Sequence, residues 1–188
     1  MPQTSYGLRR RIRRRLKALI PPPIEVSTRE RVRVAMACGL ALVLMALFWR
    51  LLSGVLHWHG PRLGLLAPLG ASALLVFAVP AGPMSQPWPT VLGNTLSLAI
   101  GLGCAHGLPQ PEWAIAAALP LSIVTMYATR SLHPPSVAMA LLMVLMGPDS
   151  EPWSLIFCGL VGSVLLVVLA SWLNPWTGKA YPVQPLQR

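Results

Sequence analysis

No ionised side chain lies between Arg62 and Glu112, between Glu112 and Arg130, between Arg130 and Asp149, or between Glu151 and Lys179. Intervals of that length, broken by Gly and Pro rather than by charge, read as helices in lipid, where each backbone polar group must find a partner inside the protein. The composition agrees. Hydrophobic residues make up 54% of the chain and charged residues 11%, the latter about half the share usual in soluble proteins. A chain of 188 residues with this pattern is expected to form one domain, an all-α polytopic membrane helix bundle.

The net charge of +10 is sequestered as well: ten of the fifteen Lys and Arg residues precede Val34, with a block at Arg9, Arg10, Arg11, Arg13, Arg14, Arg15 and Lys17. A basic block just ahead of a membrane span is the positive-inside signal and a ligand for anionic lipid, at about 1 kcal/mol per basic residue near the surface. Residues 1–33 are therefore expected to be a basic cytoplasmic tail, and nucleic acid is not an expected partner. The expected location is an integral membrane protein of a bacterial inner membrane. An organelle transit peptide is also Arg-rich and acid-poor and shares this composition.

Six spans are expected, at about 34–56, 63–79, 91–108, 113–129, 133–147 and 153–173, followed by a polar tail over 176–188. Gly82-Pro83-Met84-Ser85-Gln86-Pro87-Trp88 returns as Gly147-Pro148-Asp149-Ser150-Glu151-Pro152-Trp153, identical at Gly, Pro, Ser, Pro and Trp. Each copy follows a short segment opened by proline, at Pro68 in the first half and at Pro134-Pro135 in the second. The transmembrane domain 34–175 thus divides into halves 34–108 and 112–174, and three crossings per half make the repeat inverted, a common plan of small-solute transporters. A cytoplasmic N-terminus then places Arg130 and Lys179 inside and the Asp149–Glu151 loop outside. Gly93, Gly101 and Gly103 on the third span are suited to close helix contact, so a homo-oligomer is expected.

Polar groups concentrate at Arg130, Ser131, His133 and Ser136. A helix begun by Pro134-Pro135-Ser136 is expected to leave backbone N–H groups near Ser136 and Val137 at its positive end, a ready-made anion site. Gly70, Ala71 and Ser72 after Pro68 offer a parallel start with room for a ligand. Arg130 and His133 would supply positive potential or protons. The alternative is structural: the prolines open two short helices, and the hydroxyls satisfy backbone groups.

Leu132-His133-Pro134-Pro135 resembles the signature of the HPP family of small integral membrane proteins. The stretches Ala67–Ala73 and Gln86-Pro87-Trp88, and Asn94 in the following span, are similar to that family too, over about residues 34–175. Where members usually follow the signature with Ala-Gly or Gly-Gly and then Ala, this chain has Ser136-Val137-Ala138, and the valine narrows close backbone approach. The resemblance implies nitrite transport, the activity of plant members, and adds Asn94 to the expected substrate-binding set.

Other chemistries find no support. Cys38, Cys104 and Cys158 each fall inside an expected span, without metal or redox spacing. His57 and His59 have no carboxylate or cysteine nearby in sequence, so no metal is expected. No catalytic motif or carboxylate pair is present, so neither an enzyme nor a bound cofactor is expected. The expected function is passage of a small inorganic anion, nitrite-like and proton-coupled. The alternative is a non-transporting accessory or scaffold membrane subunit with the glycine-rich third span as its partner face.

Overall fold

Ser27 starts the first helix. The computed structural model describes residues 25–56, 63–147 and 152–183, with Arg11, residues 13–16 and Leu19 ahead of them. By its contacts the chain falls into two units, Met1–Arg31 and Val32–Arg188. In the first unit the Glu30 N–H donates to Ser27 Oγ at 3.2 Å, the hydroxyl cap that Ser-x-x-Glu encodes. The helix therefore begins at Thr28, ahead of the span expected from about Val34, because the cap recruits a polar first turn.

Six helices carry the fold among the described residues: α1 (Thr28–Leu56), α2 (Leu66–Ala78), α3 (Pro87–Gly107), α4 (Pro111–Ala128), α5 (Ser136–Met146) and α6 (Pro152–Trp176). Short 3-10 turns precede α2 at Leu63–Leu65 and α3 at Pro83–Ser85. Proline opens α3, α4 and α6, where its missing N–H removes a donor that would have had no partner.

In the second unit, α1 turns Ala37, Ala41, Met45 and Trp49 inward at four-residue spacing. Met36, Leu40, Leu47 and Leu51 on the same helix are exposed, the two faces expected of a helix between protein and lipid. The inner face meets Leu69, Ala73 and Phe77 of α2, Leu98 of α3, Met139 of α5 and Leu166 of α6 in one core. The helices α3 and α5 approach closest. A Cβ at Gly93 would lie 2.8 Å from Ser131 O and from Ser136 Oγ, and one at Gly101 would lie 2.9 Å from Ala140 Cα. Two of the three glycines expected to face another subunit are thus used inside the chain, while Gly103 meets nothing within 4 Å.

Hydrogen bonds gather four helix ends at one end of the bundle. Trp88 Nε1 donates to Thr129 O at 3.1 Å, joining the start of α3 to the end of α4. Asn174 Nδ2 donates to Val76 O at 3.5 Å, joining α6 to α2. After α6 the chain folds back: Tyr181 Oη donates to Ser85 O at 3.0 Å, and the Val183 N–H donates to Gln86 Oε1 at 3.0 Å. Tyr181 and Gln86 are both buried, so this part of the expected polar tail is a packed cap. Burial pushes the Tyr181 phenol up from its ordinary value, and it keeps the proton it donates. At the opposite, open end, Ala105, His106, Leu108, Pro109, Pro111, Ala114, Val144 and Gly147 line a cavity of about 430 Å³.

Among the described residues only α1, over Thr28–Gly54, and α6, over Trp153–Trp176, are long and apolar enough to cross a bilayer by themselves, two rather than the six expected. The helices α2 and α5 are apolar but short, about 20 and 17 Å at 1.5 Å per residue. The helices α3 and α4 are long enough but carry buried polar groups such as Thr90, Asn94, Ser97 and Ser122, which lower their apolarity.

Candidate functional site

Asn94 sits on α3 about 10 Å inward from the capped end and is fully buried. Its Oδ1 accepts the Ser136 hydroxyl of α5 at 2.8 Å. Its Nδ2 donates to Ser163 Oγ of α6 at 3.0 Å and to Ser72 Oγ of α2 at 3.4 Å. The Ser163 hydroxyl itself donates to Gly159 O at 2.7 Å. One amide therefore ties four helices together, and every side chain in the set is fully buried.

His133 closes the network toward the capped end. Its Nδ1 is 2.7 Å from Met84 O and its Nε2 is 2.9 Å from Ser72 Oγ. A carbonyl only accepts, so Nδ1 carries a proton, and in the neutral ring Nε2 accepts from Ser72. Ser72 Oγ also lies 3.1 Å from Pro68 O. When His133 takes a second proton, Nε2 donates to Ser72, and the hydroxyl turns to donate to Pro68 O instead. One hydroxyl rotation accommodates both charge states without an unpaired donor.

Of the expected site residues, the structure brings Ser72, Asn94, His133 and Ser136 together and leaves the rest outside. Gly70 is half-buried and faces α1, where an added Cβ would meet Leu42 Cδ1 at 3.5 Å. Ala71 and Pro134 are exposed and Pro135 is half-buried. Arg130 is exposed, with a positive φ of 54°. It ends α4 in a left-handed cap: the Ser131 N–H donates to Met126 O at 2.8 Å and the Arg130 N–H to Tyr127 O at 3.2 Å, a pairing that usually employs glycine.

The backbone donors expected at the start of α5 are engaged within the turn itself. The N–H groups of Ser136, Val137 and Ala138 donate to the carbonyls of His133, Pro134 and Pro135 at 2.9, 3.3 and 3.0 Å. The two prolines have no N–H to offer. Together the prolines and the tight turn use up the donors that a helix start would otherwise expose. Gly70 and Ala71 lie within α2, which begins at Leu66, so their amides belong to the helix.

Sequence reasoning missed Ser163, the Met84 carbonyl and the Gln86–Tyr181 cap. Ser163 had a signal, as the one hydroxyl in the run Cys158–Ala170. Among the described residues no group of three His, Cys, Asp or Glu side chains comes together to hold a metal. His57 and His59 lie outside the described residues, and His106 bonds Leu102 O at 3.0 Å through Nδ1.

Long apolar helices around a buried polar network define an integral membrane helix bundle. The transmembrane region of the HPP family matches residues 23–182, and the chain belongs to that family. Two transmembrane proteins of Dictyostelium discoideum are similar. One is 35% identical over 126 residues, covering 63% of this chain and 40% of the relative; the other is 34% identical over 128 residues, covering 63% and 44%. The chain spans less than half the length of these curated relatives. No solved structure matches.

Proposed function

We propose that the protein carries a small inorganic anion, nitrite-like, across a membrane, with a proton moving through His133. The observation that carries this reading is the Ser72–Asn94–Ser136–His133 network, fully buried in a membrane bundle. An ionisable ring at such depth is functional by default, and here its hydroxyl partner serves both protonation states. The donors for the anion are then side chains rather than backbone. The 3.4 Å contact between Asn94 and Ser72 is the loosest of the set and the easiest for an anion to replace, beside a protonated Nε2.

Six crossings are part of this proposal. Exposed Trp88, Trp172 and Trp176 lie near the capped end and exposed Trp113 and Trp153 near the open end, which supports two interfacial belts. The irregular segment 131–135 brings the chain to the start of the short α5. Irregular backbone is tolerated at membrane depth only where protein buries it, and His133 and Ser131 are fully buried. Arg130 and Lys179 at the capped end support a cytoplasmic capped end, with Glu112 at the other. The inverted relation of the two halves belongs to the same reading. The scaffold alternative loses its main support, because Gly93 and Gly101 face α5. Any self-association would use another face.

The test is nitrite flux in proteoliposomes under an imposed pH gradient. Uptake should exceed that of protein-free liposomes and should rise with the gradient. His133→Gln keeps a hydrogen-bonding side chain but cannot take the proton, so its flux should fall to near that of empty liposomes. Parent flux equal to that of empty liposomes removes the transport reading, and parent-like flux in His133→Gln removes the proton role.

A further inference from the structure

Among the described residues, two buried hydroxyls have no partner. Ser97 Oγ on α3 and Ser122 Oγ on α4 are fully buried and make no hydrogen bond. A hydroxyl in a helix ordinarily bonds the carbonyl four residues back, as Thr95, Ser163 and Ser171 do here. Leaving one unpaired forfeits its hydration without a replacement bond, and two in adjacent helices call for an explanation.

Their placement supplies it. The helices α3 and α4 are antiparallel and joined by the turn at residues 108–110, with Cys104 of α3 and Ala114 of α4 in one cluster. The same register puts Ser97 and Ser122 at about one level, each about two turns further from that turn. Ser97 lies between Gly93 and Gly101 on the α3 face that meets α5. Ser122 continues the buried α4 stripe of Ala114 and Ala118. The seam between α3, α4 and α5 is thus built from Gly, Ala and Ser. At its open end, Ala105, Ala114 and Val144 line the 430 Å³ cavity. Toward the capped end it leads to Asn94 and Ser136. Between them it is shut, where Gly101 packs on Ala140 and Met143.

We propose that this seam is the solute route from the open-end cavity to the Asn94–His133 network, that Ser97 and Ser122 are the hydroxyls the solute meets on it, and that the species passing is the uncharged conjugate acid of a small oxyanion. The proposal rests on the transport reading and names its path and substrate form. No acidic or basic side chain belongs to these buried faces, and a bare ion between two hydroxyls would forfeit most of its hydration. A neutral oxyacid loses far less, and a serine hydroxyl can accept its proton or donate to its oxygen. At the network the acid's O–H bond breaks. The proton passes to the Nε2 lone pair of His133, and the oxyanion keeps the bonding electrons beside the resulting imidazolium.

The test places single cysteines in a background with Cys38, Cys104 and Cys158 replaced by Ala. Ser97→Cys, Ser122→Cys and the milder Ala118→Cys, one turn nearer the cavity, are compared with Val76→Cys in the main core. All four positions are fully buried. In proteoliposomes, methyl methanethiosulfonate, a small uncharged thiol reagent, should label the three seam positions about tenfold faster than Val76→Cys, whose exposure needs wider opening of the fold. Labelling should also lower nitrite flux to near that of empty liposomes. Seam cysteines that react no faster than Val76→Cys in a protein that does carry nitrite overturn the route. Fast labelling in a protein that carries nothing keeps the seam as an opening path and removes the transport reading alone. Nitrate, close in size to nitrite but the anion of a strong acid, decides the substrate form. Its flux should match empty liposomes, and nitrate flux equal to that of nitrite overturns the uncharged-acid step.

Discussion

The Asn94 amide oxygen accepts the Ser136 hydroxyl at 2.8 Å, so the first residue of the short α5 is held by the interior of α3. The same amide's nitrogen reaches Ser163 and Ser72. In lipid the hydrophobic effect does little to bring helices together, and close packing and interhelical hydrogen bonds take over that role. Asn94 concentrates much of that role in one side chain.

Replacing Asn94 with Leu leaves three hydroxyls short of a partner in a dry interior. The expected loss is about 2 kcal/mol, or about 5 °C in Tm, read by thermal unfolding of the detergent-purified protein. An unchanged Tm would show that the network contributes no net stability.

Gly93 and Gly103 lie on one helix and should respond in opposite directions. A Cβ at Gly93 would sit 2.8 Å from Ser131 O and from Ser136 Oγ, so Gly93→Ala must displace the His133 loop at a cost of about 1–3 kcal/mol. At Gly103 nothing lies within 4 Å, and Gly103→Ala should gain up to about 1 kcal/mol of helix propensity. The sign of the Tm change for each variant checks the pair.

Arg130 holds φ at 54° in the cap of α4, where a side chain costs about 1 kcal/mol relative to glycine. Arg130→Gly should therefore raise stability by that amount. If nitrite flux falls in the same variant, the guanidinium serves the solute by its charge, since the fold has been improved rather than harmed.

Topology can be read at exposed sites near the two ends. Ser85 is a poor labelling position, being fully buried with its hydroxyl on Leu75 O at 3.2 Å, and Ser150 lies outside the described residues. Ala81 and Gln110 are exposed, at the capped and the open end. Cysteines there, in a cysteine-free background, should react with an impermeant maleimide from opposite faces of a sealed vesicle. Reaction of both from one face contradicts an odd number of crossings between them.

Much of the bundle was legible in the chain itself. The charge-free intervals located the apolar segments, prolines and glycines marked their ends, and Ser27 with Glu30 wrote the cap of α1, because these are local properties of a few consecutive residues. Ser72, Asn94, His133 and Ser136 could be singled out as polar groups with no water to turn to. Their meeting at one point was a decision of the tertiary structure, because it depends on Gly93 letting α5 close on α3. So was the fate of the expected helix-start donors, which the Pro-Pro turn consumes. Tyr181 falls in a stretch that reads as a polar tail, and neither its burial nor the partner that Ser163 finds on another helix leaves a mark at fixed sequence spacing. The unpaired state of Ser97 and Ser122 is likewise invisible in the chain, where each serine has its own backbone carbonyls at hand, and only the packed seam between α3, α4 and α5 shows both hydroxyls left without a partner.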